Sequence, residues 1–163
     1  MGLDPISMDP SKKKILFLCT GNAARSQMAE ALARLDHGDR VEAVSAGSHP
    51  AGMVHPAAIR AIGALGPDIS GARSKSADEF RDTDFDVVVT VCDSAARDCP
   101  LWPNAKRIEH WSIEDPSFER DPVLRHERFL ETRDDLRKRI DALVKELSPP
   151  PLPPGEGRGE GRP

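Results

Sequence analysis

Short apolar runs separated by polar and amphipathic segments form the pattern of this chain. Three runs are rich in aliphatic residues and are bounded by charged or turn-forming residues, as strands of a buried sheet are, and a shorter fourth segment follows them. They predict strands over residues 15–18, 41–45, 85–91 and 106–111. The third run is the most strongly β-branched segment of the chain, and we expect it to be a core strand.

Between and after these strands, apolar residues recur at helical spacing. Segments 28–35, 56–65 and 122–147 carry this period. The resulting order, β-α-β-α-β-β-α, favours an α/β fold with a four-stranded, mostly parallel sheet and helices on both faces. Ligands bind at the carboxyl edge of such sheets, where Cys19 and Cys92 are expected just beyond the ends of their strands.

The two ends of the chain differ in composition from the part between them. Residues 1–11 show no periodicity, and the second methionine, Met8, suggests that the residues before it are an added leader. Residues 149–163 consist almost entirely of Pro, Gly, Glu and Arg, which cannot bury enough apolar surface to become ordered. We therefore predict one domain over residues 12–148 between two disordered ends. The run PPPLPP is alternatively a polyproline ligand for a partner domain.

Composition and charge argue against several classes of function. A formal net charge of −4 and a pI near 5.7 give no broad positive field, so we expect no nucleic-acid partner. No apolar stretch approaches the roughly 18 residues of a membrane span, and no signal peptide is evident. We expect a cytoplasmic, monomeric protein that does not associate with a membrane. Three cysteines in a reducing compartment favour catalytic or redox use over a disulfide framework.

The segment behind the first strand has the composition of an oxyanion cradle. It consists of Cys19, Thr20, Gly21, Asn22, Ala23, Ala24, Arg25 and Ser26. Successive backbone N–H groups from residues 20–25, at the start of a helix, form an anion nest. A helix N-terminus and a nearby guanidinium also stabilise a thiolate, so Cys19 is expected to be reactive. The segment predicts attack by sulfur on phosphate or arsenate.

Individual residues of this segment have separate expected roles. Arg25 holds two oxyanion oxygens with its planar fork. Gly21 is expected to take a positive φ where a side chain would crowd the ligand. Ser26 donates its hydroxyl to the sulfur and opens the helix, and Asn22 fixes the loop by side-chain hydrogen bonds. The competing interpretation is a buried cysteine at a strand end beside an unrelated arginine.

The other two cysteines, Cys92 and Cys99, follow the third predicted strand and are seven residues apart. In a helix their sulfurs would share one face about 10 Å apart along the axis, whereas a disulfide requires Cα atoms within roughly 7 Å. A bond between them therefore demands that this segment unwinds. Two alternatives stay open: small residues packed behind a strand, and a zinc site made by the three thiols and His110.

A carboxylate follows the fourth predicted strand in the segment Glu114-Asp115-Pro116. From this loop Asp115 can reach the anion nest and protonate a departing oxygen. Glu114 is the competing acid, and an ordinary Asp-Pro turn is the alternative without chemistry.

Five motifs resemble those of the thioredoxin-coupled arsenate reductases, which share the fold of the low-molecular-weight protein tyrosine phosphatases. The motifs are CTGNAARS at 19–26, SAGS at 45–48, VTVC at 89–92, CP at 99–100 and EHWSIEDP at 109–116. The similarity spans residues 13–146. Both branches share the anion nest, and the cysteine pair seven residues apart separates the reductases from the phosphatases.

The resemblance implies a relay of three thiols. Cys19 attacks arsenate held by the nest and Arg25, and water leaves with Asp115 as proton donor. Cys92 then attacks Cys19 and releases arsenite, and Cys99 attacks Cys92, which moves the disulfide to where reduced thioredoxin reaches it. The implied substrate is arsenate, with phosphate or sulfate as competing oxyanions, and no tightly bound cofactor is implied.

Some members of this family bind potassium near the nest, at positions that match Asn22, Glu30 and Ser45 and at a Thr-x-Asp segment. Here Arg-Ser-Lys at residues 73–75 stands in place of that segment. We predict no metal site and hypothesise that the ammonium of Lys75 replaces the ion, because a cation there repels potassium. The alternative is a solvated surface lysine.

Two other functions compete with the reductase hypothesis. A low-molecular-weight protein tyrosine phosphatase would use Cys19, Arg25 and Asp115, but its pocket needs aromatic walls. The chain has no tyrosine and only 4 % aromatic residues. A binding module would instead hold arsenite or another soft metal through the three cysteines. That hypothesis leaves Arg25 and Ser26 unexplained.

Overall fold

The computed structural model describes residues 11–91, 102 and 104–147. Its centre is a sheet of four strands, β1 (Lys13–Cys19), β2 (Val41–Gly47), β3 (Val87–Thr90) and β4 (Ile108–His110). The strands lie in the order β2-β1-β3-β4, and each neighbouring pair is parallel. The predicted four-stranded α/β fold is confirmed, and the sheet is parallel throughout its named strands.

In the described residues, three α-helices connect or follow these strands: α1 (Arg25–His37), α2 (Pro56–Gly63) and α3 (Pro122–Leu147). Two short 3-10 helices, Ala77–Phe80 and Pro116–Phe118, precede β3 and α3. Although α3 is long, its sequence is rich in charged residues. None of the helices in the described part of the chain is long and apolar enough to span a membrane.

Both faces of the sheet are buried. Side chains of β1 point alternately to the two faces, so β1 contributes to both cores. Ile15 belongs to the larger core, which the sheet forms with α1, α2 and α3. Leu16 belongs to a smaller core on the other face. In the described part of the chain, that second face is covered by the 3-10 helix Ala77–Phe80 and by Trp102, and all three α-helices lie on the first face.

The parallel register brings the carboxyl ends of the strands to one edge of the sheet. Cys19 on β1 pairs with Gly47 on β2, and Leu18 pairs with Thr90 on β3. Thr90 in turn pairs with His110 on β4. This is the edge at which the sequence predicts a ligand site.

The ends of several elements differ from the prediction. Cys19 is the last residue of β1 and not the first residue beyond it, because it pairs with Gly47 on β2. β3 and β4 are shorter than predicted, and Phe85 and Ala105 form an isolated bridge before them. α2 ends at Gly63 because the chain turns there and reaches a φ of +120° at Gly66.

The last helix is fastened to the end of α1 by two polar contacts. Arg137 on α3 donates two hydrogen bonds of 2.7 Å to the carboxylate of Asp36. His37 Nε2 lies 2.7 Å from Asp141 Oδ1. These contacts fix how the long helix lies across the larger core.

Candidate active site

The thiol of Cys19 is enclosed at the carboxyl end of β1, where the residue is 3 % exposed. Its Sγ lies 2.8 Å from Ser26 Oγ, and the backbone N–H of Asn22 donates to it at 3.2 Å. α1 begins at Arg25, so the positive end of the helix dipole is close by. Donors and a helix N-terminus directed at sulfur favour the thiolate, as the predicted nucleophile requires.

The backbone after Cys19 is held in shape by the loop that follows β2. The carbonyl oxygens of Cys19, Thr20, Gly21 and Ala23 accept hydrogen bonds of 2.8–3.2 Å from the N–H groups of residues 48–55. In a trans peptide the N–H points away from the C=O. Because the carbonyl of Gly21 is tied to this loop, the adjoining N–H of Asn22 points towards the thiol.

Asn22, and not Gly21, has the left-handed backbone conformation in this segment. Its φ is +49°, whereas Gly21 has no positive φ, so the prediction for Gly21 is wrong. Asn22 adopts this conformation because its side chain is bonded on both sides. Nδ2 donates to Ser26 Oγ at 2.9 Å, and Oδ1 accepts from Gln27 Nε2 at 2.9 Å and from the N–H of Lys75 at 2.7 Å.

Gly47 is the glycine that the cradle requires, and sequence reasoning missed its role. A Cβ at this position would lie 2.6 Å from the carbonyl oxygen of Thr20 and 2.9 Å from the N of Asn22. Only glycine allows β2 to approach the segment this closely. The available signal was a glycine placed directly at the end of a buried strand.

Ser26 contacts the sulfur but does not cap the helix. The N-cap of α1 is Ala24, which makes no side-chain capping bond, so the capping part of the prediction is wrong. The physical reason is that the Ser26 hydroxyl is engaged elsewhere. It lies between Cys19 Sγ and Asn22 Nδ2 and connects the thiol to the side chain that fixes the loop.

Arg25 and Asp115 meet at the mouth of the cradle. Arg25 NH2 lies 3.3 Å from Asp115 Oδ2, and its NH1 donates to the carbonyl of Ile113 at 2.7 Å. The other oxygen of Asp115 accepts from the N–H and the hydroxyl of Ser117, at 2.9 and 2.7 Å. Asp115 therefore lies beside the arginine of the cradle segment, with one oxygen fixed and the other facing Arg25. The competing acid, Glu114, lines the outer cleft next to it.

The second and third cysteines, Cys92 and Cys99, lie outside the described residues. The last described residue before them, Val91, is buried, and its N–H donates to the carbonyl of Leu18 at 2.8 Å. The chain thus leaves β3 directly beside the strand end that carries Cys19. For the zinc alternative, His110 is described, and its Nδ1 lies 2.6 Å from Thr90 Oγ1.

The residues that match the potassium position of the resembled family do not fit a metal ion. Glu30 accepts a hydrogen bond of 2.5 Å from Ser45 Oγ, and its carboxylate also faces two cationic groups. Arg34 NH2 lies 3.0 Å from Oε2, and Lys75 Nζ lies 3.5 Å from Oε1. A potassium ion there would meet an ammonium and a guanidinium. Lys75 is 9 % exposed, so the alternative of a solvated surface lysine is wrong.

His55 is a further residue at this edge that sequence reasoning missed. Its N–H donates to the carbonyl of Ala23 at 2.8 Å, and its Nδ1 accepts the N–H of Ala57, which caps α2. Its ring packs on Phe129 with centroids 4.9 Å apart. Burial lowers the pKa of His55, Arg125 acts in the same direction, and Asp115 acts against it. The signal was a histidine directly before the proline that opens α2.

The class of protein follows from the match to a known family. The profile of the low molecular weight phosphotyrosine protein phosphatase family matches residues 14–150. This span includes the thiol, the cradle and the loop that delivers Asp115. The chain belongs to this family.

Within the family, the chain falls among the arsenate reductases. It is 40 % identical over 136 residues to an arsenate reductase of Halalkalibacterium halodurans, a match that covers 83 % of this chain and 97 % of the relative. It is 32 % identical over 136 residues to a Synechocystis protein named glutaredoxin arsenate reductase, covering 83 % of this chain and 99 % of that protein.

Solved structures show the same similarity. An arsenate reductase in its phosphate-binding state superposes with a TM-score of 0.73 at 32 % identity, covering 83 % of this chain and 99 % of the other. The thioredoxin-dependent arsenate reductase of Corynebacterium glutamicum gives a TM-score of 0.64 at 30 % identity, covering 86 % of this chain and 64 % of the other. The fold described above is the fold of these enzymes.

Proposed function

We propose that this protein reduces arsenate to arsenite with Cys19 as nucleophile and with Cys92 and Cys99 as the thiols that complete the relay. The observation that carries the proposal is the environment of Cys19. Its sulfur contacts a hydroxyl and a backbone N–H, at the start of a helix, and an arginine stands at the mouth of the same cradle. A tetrahedral oxyanion matches these donors in charge and shape.

In the first step the Cys19 thiolate attacks arsenic and forms an S–As bond. One arsenic–oxygen bond breaks, and the departing oxygen leaves as water after it takes a proton from Asp115. The contact of Asp115 with Arg25 supports this role, because an oxyanion held by Arg25 would lie next to the carboxyl group. The two hydrogen bonds from Ser117 hold the other carboxyl oxygen, so the acid is positioned before the substrate arrives.

In the second step Cys92 attacks the sulfur of Cys19. The S–As bond breaks, and its electron pair stays on arsenic, which becomes arsenite while the two sulfurs form a disulfide. Cys99 then attacks Cys92, which returns Cys19 to the thiolate and leaves a disulfide between Cys92 and Cys99. The proximity of the end of β3 to the end of β1 supports the first transfer.

We propose thioredoxin as the reductant of the final disulfide, with no tightly bound cofactor and with action in the cytoplasm. The similarity to the thioredoxin-dependent enzyme of Corynebacterium glutamicum supports this choice. The Synechocystis relative is named for glutaredoxin, so glutaredoxin is the alternative reductant. Both act by thiol–disulfide exchange, and the chemistry at Cys19 is the same with either.

A phosphatase that uses Cys19, Arg25 and Asp115 is the second candidate function. The name of the matched family favours it, and phosphate has the shape and charge of arsenate. A phosphotyrosine pocket, however, needs aromatic walls. Among the described residues, the cleft of about 440 Å³ beside Asp115 is lined by one aromatic residue, Phe118, which is 80 % exposed. We therefore expect weak hydrolysis of aryl phosphates at most.

The test is arsenate-dependent NADPH consumption by the full chain with thioredoxin and thioredoxin reductase. We expect turnover by the parent and loss of turnover in Cys92→Ser and in Cys99→Ser, whereas Ser70→Ala, a change in an exposed turn, keeps the parent rate. The same assay with glutaredoxin and glutathione identifies the reductant. Cysteine variants that keep hydrolysing an aryl phosphate while the parent consumes no NADPH would establish the phosphatase instead. Stoichiometric binding of arsenite without turnover would establish the sequestering module.

A further inference from the structure

Lys75 is a buried lysine beside the cradle that the proposed reaction does not use. It is 9 % exposed, and its Nζ lies 3.5 Å from Glu30 Oε1 and 3.1 Å from the carbonyl oxygen of Arg73. Removing an ammonium from water is costly unless the charge is paired and hydrogen-bonded. A lysine retained in this position is therefore bound to a specific acceptor, which is the carboxylate of Glu30.

The backbone of the same residue holds the loop around the thiol. The N–H of Lys75 donates to Asn22 Oδ1 at 2.7 Å. Asn22 in turn donates its own N–H to Cys19 Sγ and its Nδ2 to Ser26 Oγ, which also contacts the sulfur. Two hydrogen bonds thus connect the backbone of Lys75 to the sulfur of Cys19.

The side chain of Lys75 ties this loop to the first helix. Glu30 lies one turn after Ser26 on α1, and its carboxylate accepts from Ser45 on β2 at 2.5 Å. The ammonium therefore joins the segment before the 3-10 helix Ala77–Phe80 to α1 and β2 at one point. A small cation bound between the same oxygens would join these elements in the same way. In this protein the ammonium of Lys75 supplies the positive charge.

We propose that Lys75 is a positioning residue, a built-in cation that holds Asn22 against Cys19 and makes the cradle independent of monovalent metal ions. The proposal rests on the proposed function, since the cradle that Lys75 supports is the one assigned to arsenate. Lys75 also lines an open groove of about 630 Å³ along α1, together with Gln27 and Arg34. A small ion can reach the position of the ammonium when the side chain is shortened.

The first measurement is thermal unfolding of the full chain in potassium chloride, sodium chloride and choline chloride at equal ionic strength. We expect the parent and Lys75→Arg to have the same Tm in all three salts. Lys75→Ala is expected to have a lower Tm in choline chloride and to recover part of it in potassium or sodium chloride. The matched control is Lys106→Ala, whose side chain is 78 % exposed, and it should follow the parent.

The second measurement is the affinity of inorganic phosphate for the cradle by calorimetry. We expect Lys75→Ala to bind phosphate about three- to tenfold more weakly in choline chloride, as remote positioning changes do, and to regain affinity in potassium chloride. Neither readout needs turnover. A protein that fails to reduce arsenate would therefore still test this proposal.

Three results would overturn the proposal. A parent Tm that rises in potassium chloride above its value in choline chloride would show that a metal ion binds although Lys75 is present. A Lys75→Ala variant with a lower Tm but unchanged phosphate affinity would show a purely structural lysine. A variant that loses affinity and regains none with alkali ions would show that no cation position exists. Should Lys75→Ala not fold, the salt series on the parent and on Lys75→Arg decides the question.

Discussion

Two carboxylates of α1, Glu30 and Asp36, are paired with basic groups, but the two clusters differ in burial and in what they hold. Near the middle of the helix, Glu30 pairs with Arg34 and Lys75, and the side chains of Glu30 and Lys75 are 7 % and 11 % exposed. Near the C-terminal end, Asp36 pairs with Arg137, and these side chains are 18 % and 37 % exposed. The first cluster supports the cradle, and the second fastens α3.

Two ion pairs on one helix therefore contribute differently, because one is buried and the other is partly exposed. Removing one partner of a buried ion pair leaves an uncompensated charge inside the protein. When the pair is partly exposed, water solvates the charge that remains. Asp36, His37 and Asp141 also bring three potential metal-ligating atoms within 4.8 Å of one another. Arg137, however, occupies both oxygens of Asp36, so this cluster acts as an interhelical contact.

Among the substitutions considered, Glu30→Gln should lower the stability of the protein most. The change leaves the buried ammonium of Lys75 without its carboxylate, and we expect the free energy of unfolding to fall by about 3 kcal/mol or more. Arsenate turnover should fall as well, because Lys75 holds Asn22. Urea unfolding and the turnover assay measure the two effects, with Glu131→Gln, an exposed partner of Arg128, as control. A stability loss no larger than that of Asp36→Asn would contradict the comparison.

A change at the cradle itself is expected to have the next largest effect. In Gly47→Ala the new Cβ would overlap the backbone of residues 20–22, and we expect a loss of about 1–3 kcal/mol together with weaker phosphate binding. Gly63→Ala is the matched control, since a Cβ there meets no atom within 4 Å. Chemical denaturation and calorimetry check the pair. Equal behaviour of the two alanine variants would rule out the close approach of β2 to the cradle.

The smallest effect is expected at the far end of α1. Asp36→Asn should lower the free energy of unfolding by about 0.5–1 kcal/mol at neutral pH, since the pair is partly exposed, and should leave arsenate turnover unchanged. The hydrogen bonds from Arg137 lower the pKa of Asp36.

The lowered pKa gives this effect a defined pH window. The contribution of Asp36 is present above the ordinary carboxyl pKa of about 3.9 and is lost as the pH falls through the folded value. The stability difference between the parent and Asp36→Asn should therefore shrink in acid. Unfolding curves from pH 7 to pH 2 measure it, and a difference that grows in acid would contradict the assignment.

Local patterns were sufficient to predict the sheet and the position of the cradle. The sequence pattern indicated the four strands, and the residues between β1 and α1 indicated a cradle around Cys19. Asp115 was also found, because the loop after a parallel strand ends at the same edge of the sheet as Cys19. These features depend on residues that are close in sequence or on the regular geometry of the fold.

Contacts between distant segments could not be read from the sequence. Gly47 at the end of β2 and His55 in the loop that follows it shape the cradle, and no local spacing reveals which carbonyls they meet. The positive φ fell on Asn22 and not on Gly21 because three side-chain hydrogen bonds outweigh the intrinsic preference of glycine. For Lys75, the charge and the position along the chain were evident from the sequence, and only the packing revealed its burial.

The carbonyls tied down by the loop after β2 have a consequence for substrate choice. A binding site fixed by backbone hydrogen bonds is rigid, and its dimensions do not adjust to the ligand. We expect such a site to bind phosphate as readily as arsenate, because the two anions have the same charge and nearly the same radius. Selectivity for arsenate is therefore expected in the chemical step that follows binding, since arsenic in arsenate is readily reduced by two electrons and phosphorus in phosphate is not.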